Sequence, residues 1–303
     1  MADVVISIIT ATHNRSELLI RLYESLKRQT VYSFEWIVVD DASTDNTWEI
    51  LQSFEDNLFT IRKVKIPHGG KHRALNKGVS LAKGELVFFV DDDDWLTTDA
   101  INTVLKVHDT YKSVDNICGY SFLRQYPNGE INTNEFNEDI VIASYVQARV
   151  NAKIRNVVGD RAEVFFTEVL KDNPFPEFDN EYFYFEDGLW VRLSAHYRMI
   201  HVNRAIYICD YLSDGLTKNG RLNKLKSPIG MIDRTSVFLN SPEKIRFFVI
   251  CKMTVLWLTY NVYVGNSIIK LIKSQRRKIL TIVCLPFSLL VAALWKGQND
   301  DKE

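Results

Sequence analysis

Short apolar runs alternate with amphipathic segments over the first third of the chain. The runs are rich in β-branched and aromatic residues, which is typical of strands buried on both faces of a sheet. We predict strands over residues 4–9, 34–39, 59–66 and 85–90, of which the first, second and fourth are buried runs. Apolar residues at helical spacing predict helices over 16–29, 47–54 and 73–82. Strands and helices alternating at this spacing predict an α/β fold with a parallel, doubly wound sheet.

The polar residues of this region collect just after the predicted strands. They occupy positions 10–15 after the first strand, 40–41 after the second and 91–94 after the fourth. In doubly wound sheets, ligands bind beyond the carboxyl ends of the strands. We therefore expect these three clusters to line one binding site.

Beyond residue 115 the pattern is less regular. It predicts a strand over 117–126 and helices over 141–149, 164–170 and 189–196. After Pro242 the composition changes to two apolar runs, 247–272 and 279–295, on either side of a basic cluster. We therefore predict one α/β domain over 1–241, with a ligand-binding half (1–110) and a second half (111–241), followed by an apolar helical tail over 242–303.

Composition narrows the range of partners and of compartments. The chain has 303 residues, with 37 basic and 38 acidic side chains, and this balance gives no reason to expect nucleic acid as a partner. Its four cysteines lack zinc-like spacing, which favours reduced thiols in the cytosol. The amino terminus lacks the basic region of a signal peptide, so we expect the catalytic part to be cytoplasmic.

Four consecutive aspartates, Asp91 to Asp94, are the strongest chemical signal. Adjacent carboxylates repel one another unless a cation is present, and hard oxygen ligands suit Mg²⁺ or Mn²⁺. The alternative is a solvated acidic turn that caps the next helix. Because a predicted buried strand precedes the aspartates and Trp95 follows them, we favour a metal site.

Asp40 and Asp41 end the second predicted strand. An acidic residue at this place can accept hydrogen bonds from a ribose or a base. Alternatively, the pair forms an Asx turn that leads into the next helix, which the polar stretch 43–47 favours. Both roles can coexist, with one aspartate in each.

Taken together, these motifs resemble the inverting glycosyltransferases of family 2, which have the GT-A fold. The matching segments are Ser7 to Arg15, Ile37 to Asp45, Leu75 to Gly78 with Gly84 and Glu85, and Phe89 to Asp94. They follow the family's order and spacing over roughly residues 4–110. The resemblance implies a Rossmann-like, mostly parallel central sheet flanked by helices.

The resemblance also implies roles for the residues of the first half. Thr10 and Asp41 would contact the nucleoside, with Asp41 the partner of the base. Asp93 would bind the metal, Mn²⁺ or Mg²⁺, together with Asp91, while Asp91 or Asp92 would face the ribose or the diphosphate. The remaining nucleotide-binding positions of the matching segments are Thr12, Asn14, Arg15, Lys71, Arg73 and Asn76.

The segment around Lys71 departs from the commoner family pattern, which has arginine at the position of Leu75. It resembles the GGKH variant of bacterial surface-polysaccharide transferases. Lys71 or Arg73 would then supply the missing positive charge. The departure leaves the preferred base open, with uridine the first expectation.

A weaker resemblance extends into the second half, through residues 159–165 and 211–216. Between them lie Glu186 and Asp187, where the family places its general base. Asp187 would take the proton from the acceptor hydroxyl, and Glu186 is the substitute candidate. The alternative is that the pair only begins a helix, because carboxylates are stabilised at helix N-termini.

The resemblance implies transfer of a sugar from a nucleotide-sugar donor, first of all a UDP-sugar, to a saccharide acceptor that is lipid-linked in polysaccharide synthesis. Two alternatives are a non-catalytic nucleotide-sugar-binding scaffold and a sugar nucleotidyltransferase. The first conflicts with the intact acidic motifs. The second usually has a glycine- and lysine-rich loop after strand one, where this chain has Thr10 to Arg15.

The apolar tail allows three interpretations: interfacial or re-entrant helices, a hairpin of two short spanning helices, and ordinary core packing. The run 279–295 is at the lower limit of length for a span and contains Pro286. The basic cluster before it favours the anionic cytoplasmic surface. We predict peripheral association with the inner face of the membrane through this tail.

Overall fold

The computed structural model describes residues 3–151, 160–210 and 220–300. In these ranges the strands are β1 Ile6–Thr12, β2 Phe34–Asp41, β3 Thr60–Ile66, β4 Leu86–Phe89, β5 Trp95–Leu96, β6 Ile117–Gln125, β7 Ile140–Ala143, β8 Ala162–Phe166 and β9 Arg198–Ile208. The α-helices are α1 Ser16–Lys27, α2 Thr47–Ser53, α3 Lys71–Leu81, α4 Ala100–Tyr111, α5 Thr167–Asp172, α6 Glu186–Leu193, α7 Gly220–Lys226, α8 Pro228–Asn240, α9 Phe247–Tyr263, α10 Ile268–Ser274 and α11 Lys278–Asp300.

One mixed sheet runs through the molecule in the order β3-β2-β1-β4-β8-β6-β9-β5, with β7 paired to β9. The strands β3, β2, β1 and β4 are mutually parallel, as the sequence predicts. Their β-branched and aromatic side chains alternate between two cores. For example, Trp36 and Val38 face α1 and α2, whereas Ile37 and Val39 face α3. The carboxyl ends of β1, β2 and β4 therefore meet at one edge.

The second half of the sheet differs from the sequence prediction at two places. Residues 141–149 are not a helix: β7 pairs antiparallel with β9, and a single π-helical turn follows at Val146–Val150. Residues 164–170 are not one helix either, because β8 lies between β4 and β6 and the helix begins only at Thr167. The pairing partners are distant in sequence, and local periodicity does not reveal them.

The tail is helical and packs on the α/β domain in layers. Helix α6 contacts α8, α8 contacts α9, and α9 contacts α11. Among the described residues, one helix is long and apolar enough to cross a membrane, over Lys278–Trp295, and the shorter apolar helix is Phe247–Tyr263. The boundary predicted at 241/242 falls between α8 and α9.

Candidate active site

Three aspartates that follow β4 form a compact oxygen cluster. One carboxylate oxygen from each of Asp91, Asp93 and Asp94 lies within 4.8 Å of the others. The Asp91 backbone N–H donates a hydrogen bond of 3.0 Å to the hydroxyl of Tyr207 on β9. On β6, Arg124 Nη1 lies 3.5 Å from Asp94 Oδ2. The cluster is thus fixed by the neighbouring strands as well as by its own.

The charges in this cluster are incompletely balanced. Burial, with repulsion from Asp93 and Asp91, raises the pKa of Asp92 to about 7, and burial likewise raises the pKa of Asp94 to about 7. Burial and the charge of Asp91 also raise the pKa of Asp93. For Asp91 burial acts in the same direction, but the charges of Lys71 and Arg124 outweigh it and lower the pKa. The cluster therefore offers carboxylate oxygens that too few positive charges neutralise. Such a set of ligand atoms fits the binding of Mg²⁺ or Mn²⁺.

Lys71 joins the acidic cluster to the second candidate group. Its Nζ lies 2.6 Å from Asp91 Oδ1 and 2.8 Å from Glu186 Oε1. Burial acts to lower the pKa of Lys71, but the two carboxylates hold it well above its usual value. The structure therefore brings together three residues that the sequence proposed for one site from separate segments.

The Glu-Asp pair opens α6, as the sequence predicts. Asp187 is held by Arg234 of α8 in a bidentate pair, in which Nε donates to Oδ1 over 2.6 Å and Nη2 donates to Oδ2. The guanidinium also lies over the ring of Phe185, 4.7 Å from its centroid. Burial opposes the charge on Arg234, but Asp187 raises its pKa above the usual value. Arg234 could not be predicted from the sequence, because an isolated arginine belongs to no motif.

Asp40 and Asp41 have separate roles in the structure. Asp40 Oδ1 accepts a hydrogen bond of 2.9 Å from the backbone N–H of Ser43, three residues on, and so shapes the turn after β2. The two oxygens of Asp41 accept hydrogen bonds from the backbone N–H groups of Gly69 and Gly70, at 2.6 and 2.8 Å. Asp41 thus organises the loop that leads into α3.

Aromatic rings gather beside Asp41. His68 Nδ1 lies 3.0 Å from Asp41 Oδ2, and His13 Nδ1 contacts the Asp41 carbonyl oxygen over 2.7 Å. The His68 ring stacks on Tyr182 with a centroid distance of 4.9 Å. These flat surfaces border the place where the carboxyl ends of β1 and β2 meet.

Of the predicted site residues at the end of β1 and just after it, some lie in the core and others beside the acidic cluster. The side chain of Thr10 is buried in the core, where its hydroxyl accepts a hydrogen bond of 3.0 Å from Trp36. Thr12 is buried, and its hydroxyl and the charge of Arg15 both act to lower the pKa of the Asp92 carboxyl, against the effect of burial. The structure therefore brings Thr12 and Arg15, but not the Thr10 side chain, to the acidic cluster.

Asn14 ties the loops after β1 and β2 together. It adopts a positive φ of 54°, and its Oδ1 accepts a hydrogen bond of 2.8 Å from the Thr44 backbone. Its own backbone N–H donates to Ser43 Oγ over 2.9 Å. The amide side chain is thus engaged in shaping the pocket wall.

Arg73 and Asn76 of α3 contact the segment that leads towards α6. Arg73 donates to the carbonyl of Phe178, and its Nε lies 3.5 Å from Glu177. Asn76 donates to the carbonyl of Phe175 over 2.9 Å and accepts from the same residue's N–H over 2.9 Å. Both side chains hold this segment against α3. The matching residues 211–216, and Gly159, lie outside the described residues.

The fold is shared with solved glycosyltransferases. The structure of residues 1–349 of Staphylococcus aureus TarS in complex with UDP-GlcNAc superposes with a TM-score of 0.63 and 18% sequence identity, covering 94% of this chain and 80% of that one. The central sheet flanked by helices is therefore the GT-A fold that the sequence implied.

Family membership follows from the sequence match. Residues 7–167, more than half of the chain, match the family described as glycosyl transferase family 2. The chain belongs to this family.

Two relatives illustrate the range of the match. The GalNAc(5)-diNAcBac-PP-undecaprenol beta-1,3-glucosyltransferase of Campylobacter jejuni is 26% identical over 243 residues, which are 78% of this chain and 74% of that protein. The glycosyltransferase GlyG of Streptococcus pneumoniae is 37% identical over 105 residues, which are 33% of each protein. The match thus spans only about a third of GlyG.

Proposed function

We propose that this protein is an inverting glycosyltransferase that transfers a sugar from a UDP-sugar to a hydroxyl of a lipid-linked saccharide. The observation that carries the proposal is the position of Lys71, which links the acidic cluster after β4 to the Glu-Asp pair of α6. A donor site and a base for the acceptor then lie side by side. The names of the Campylobacter relative and of the TarS complex support the classes of acceptor and donor.

In this proposal, Asp93 and Asp91 hold Mn²⁺ or Mg²⁺ and Asp92 faces the ribose or diphosphate. The ion would supply positive charge to the leaving nucleoside diphosphate. Lys71 lies at the Asp91 carboxylate and adds a second positive charge there. Arg15 and Thr12 border the cluster, while Asp41 and Asn14 shape the loops around the nucleoside.

Asp187 is the proposed general base, with Glu186 as the substitute candidate. The acceptor oxygen attacks the anomeric carbon as the bond from that carbon to the diphosphate oxygen breaks, and the acceptor proton moves to the Asp187 carboxylate. Because this is a single displacement, the anomeric configuration inverts. Arg234 holds the carboxylate in place through its two hydrogen bonds.

In this proposal the α/β domain and the helical tail have separate functions. Residues 1–241 carry the donor site and the base, and the helices beyond them associate with the inner face of the membrane, where a lipid-linked acceptor lies. The contacts from α6 through α8 to α9 and α11 join the two parts.

The experiment is a panel of nucleotide-sugars, first by thermal shift with and without Mn²⁺ and then by release of UDP with a lipid-linked acceptor. A donor raises the melting temperature by mass action. Asp93→Ala should abolish metal-dependent turnover. Asp187→Asn should lower kcat by ~10²–10⁴-fold and keep donor binding. The exposed Asp172→Asn is the matched control.

Other outcomes would identify other activities. Donor binding without turnover under any acceptor would indicate a scaffold, and release of pyrophosphate would indicate a nucleotidyltransferase. Full activity of Asp93→Ala would contradict the metal assignment, and loss of donor binding in Asp187→Asn would indicate a structural role for that residue.

A further inference from the structure

Helix α11 turns large apolar side chains to solvent along one face. Ile279, Val283, Phe287, Leu290 and Leu294 are between 55% and 81% exposed. Their spacing of three or four residues places them on a single stripe. On a helix that covers a soluble domain, the apolar stripe faces the protein instead.

The opposite face of α11 is made of small and hydroxyl side chains. Thr281, Cys284, Ser288 and Ala292 are all buried. The Ser288 hydroxyl donates to the Val255 carbonyl of α9 over 3.2 Å, so this face lies directly against α9. Small residues at the helix contact and large apolar residues outside are typical of helices that face lipid.

The surrounding segment has only one sign of charge. From residue 244 to residue 299 the sequence contains no aspartate or glutamate, whereas the whole chain has a net charge of −1. The basic residues of the segment are Lys244, Arg246, Lys252, Lys270, Lys273, Arg276, Arg277, Lys278 and Lys296. Lys270, Lys273 and Arg276 are exposed beside the amino-terminal end of α11. Such a concentration of basic side chains is complementary to an anionic lipid surface.

Helix α9 packs between α8 and α11, and this packing limits which side of α11 can contact a bilayer. Met253, Trp257, Leu258 and Tyr260 of α9 are buried, because α9 lies between α8 and α11. One side of α11 is therefore covered by α9, and only the opposite side is free to contact lipid. The exposed stripe suits a helix that lies in the plane of the interface.

We infer that the apolar stripe of α11 and the basic residues beside it form a docking surface for an anionic phospholipid bilayer, with α11 in the membrane plane. The link between this surface and a lipid-linked acceptor rests on the proposed function, whereas the docking itself does not. The docked helix connects through α9 and α8 to α6, so the base Asp187 is held on a scaffold anchored at the membrane.

The test is co-flotation of the full chain with vesicles of phosphatidylcholine containing 30% phosphatidylglycerol, compared with pure phosphatidylcholine. We expect binding to the anionic vesicles. Replacing Val283, Phe287 and Leu290 together by Gln should weaken binding by about 100-fold or more. The control is Ile20→Gln with Leu58→Gln, two exposed apolar residues on the α/β domain, and it should bind as the parent does.

A second set of variants tests the charges. Replacing Lys270, Lys273 and Arg276 together by Gln should lower binding to anionic vesicles by roughly 100-fold, with little change on neutral ones. The exposed Lys106→Gln serves as its control. Unchanged binding in either triple variant would overturn the inference.

Orientation is tested with a tag after Glu303 and a protease added outside preformed vesicles. A helix in the plane leaves the tag accessible, whereas a protected tag would show a spanning helix and contradict the inference. None of these measurements needs turnover. A variant that loses vesicle binding but keeps its UDP-sugar thermal shift is still folded. A failure of the membrane-docking inference can therefore be distinguished from a failure of the proposed enzyme activity.

Discussion

Lys71 and Asp91 form the closest ion pair of the acidic cluster, with Nζ 2.6 Å from Oδ1. The lysine stands at the first position of α3, and the aspartate follows β4. A cation bound by Asp91 would share this carboxylate with the ammonium group. We therefore expect Lys71 to supply positive charge to the donor phosphates and to compete with the metal before the donor binds.

We expect Lys71→Met to lower stability, to tighten Mn²⁺ binding in the absence of nucleotide and to reduce turnover. Its side chain is 36% exposed, so solvent screens the pair, and we expect a loss of about 1–2 kcal/mol. Thermal unfolding and Mn²⁺ titration measure the first two effects. The exposed Lys77→Met on the same helix is the control. Weaker Mn²⁺ binding in Lys71→Met would contradict the competition.

Arg234 is expected to act as a positioning residue for the base. Arg234→Met should lower kcat by about 10–100-fold while KM for the donor stays unchanged, because the Asp187 carboxylate loses its fixed orientation. Arg234→Lys should recover part of kcat, since it keeps the charge but not the bidentate geometry.

The control for Arg234 lies on the same helix pair. Arg192 of α6 contacts Asp233 of α8 over 3.0 Å, but it does not touch the proposed base. We expect Arg192→Met to leave kcat close to that of the parent. If Arg234→Met instead lost donor binding and kcat together, its role would be structural.

The parts of the fold that the sequence predicted are those in which the signal is local. The strands β1, β2 and β4 are each a continuous run of mostly buried residues followed by polar residues, so both their positions and their role could be predicted. At 141–149 the apolar residues also fit a helical period. The pairing of Val141 with His201 on β9 decides in favour of a strand, and this partner is distant in sequence.

The site divides in the same way. The aspartates after β4 and the Glu-Asp pair are consecutive residues, so their chemistry is visible in the sequence. Arg234 is 47 residues from Asp187, and Arg124 reaches the acidic cluster from another strand. Isolated arginines form no pattern, and only the three-dimensional structure identifies their partners.

Gly70 permits the loop that Asp41 holds. Its φ is +88°, and a Cβ at this position would lie 2.0 Å from the Tyr182 carbonyl oxygen. Because its ψ is 161°, Gly70 lies in a backbone region that essentially only glycine adopts, so we expect Gly70→Ala to cost more than the ~1–2 kcal/mol of a left-handed residue, and backbone atoms must also move. Donor affinity should fall as well, because the loop borders the proposed nucleoside site.

Gly129 provides a matched control for this substitution. It has the same φ of +88°, but a Cβ there would have no atom within 4 Å. Gly129→Ala should therefore show the cost of a positive φ without a steric contact, with donor affinity unchanged. Denaturant unfolding and donor titration of both variants separate the strain from the steric contact, and equal losses in the two variants would contradict the close approach to Tyr182.

His201 should make stability depend on pH. It is buried on β9, and its Nε2 lies 3.2 Å from the Ala143 carbonyl. Burial, with the charge of Arg161, lowers its pKa from 6.5 to about 3. Between pH 6.5 and pH 3 this histidine therefore binds a proton in the unfolded chain but not in the folded chain. The stability that neutral His201 contributes is complete above pH 6.5 and is lost as the pH falls towards 3.

At pH 5 the loss from His201 amounts to about 2 kcal/mol relative to neutral pH. His201→Gln keeps a polar side chain near the Ala143 carbonyl but cannot take up a proton. Between pH 7 and pH 5, its unfolding free energy should therefore fall by about 2 kcal/mol less than that of the parent. The control is His196→Gln, at an exposed histidine. Its unfolding free energy should depend on pH as that of the parent does, which shows that removing any histidine does not produce the effect. Parallel pH profiles for parent and His201→Gln would show that His201 becomes protonated without unfolding.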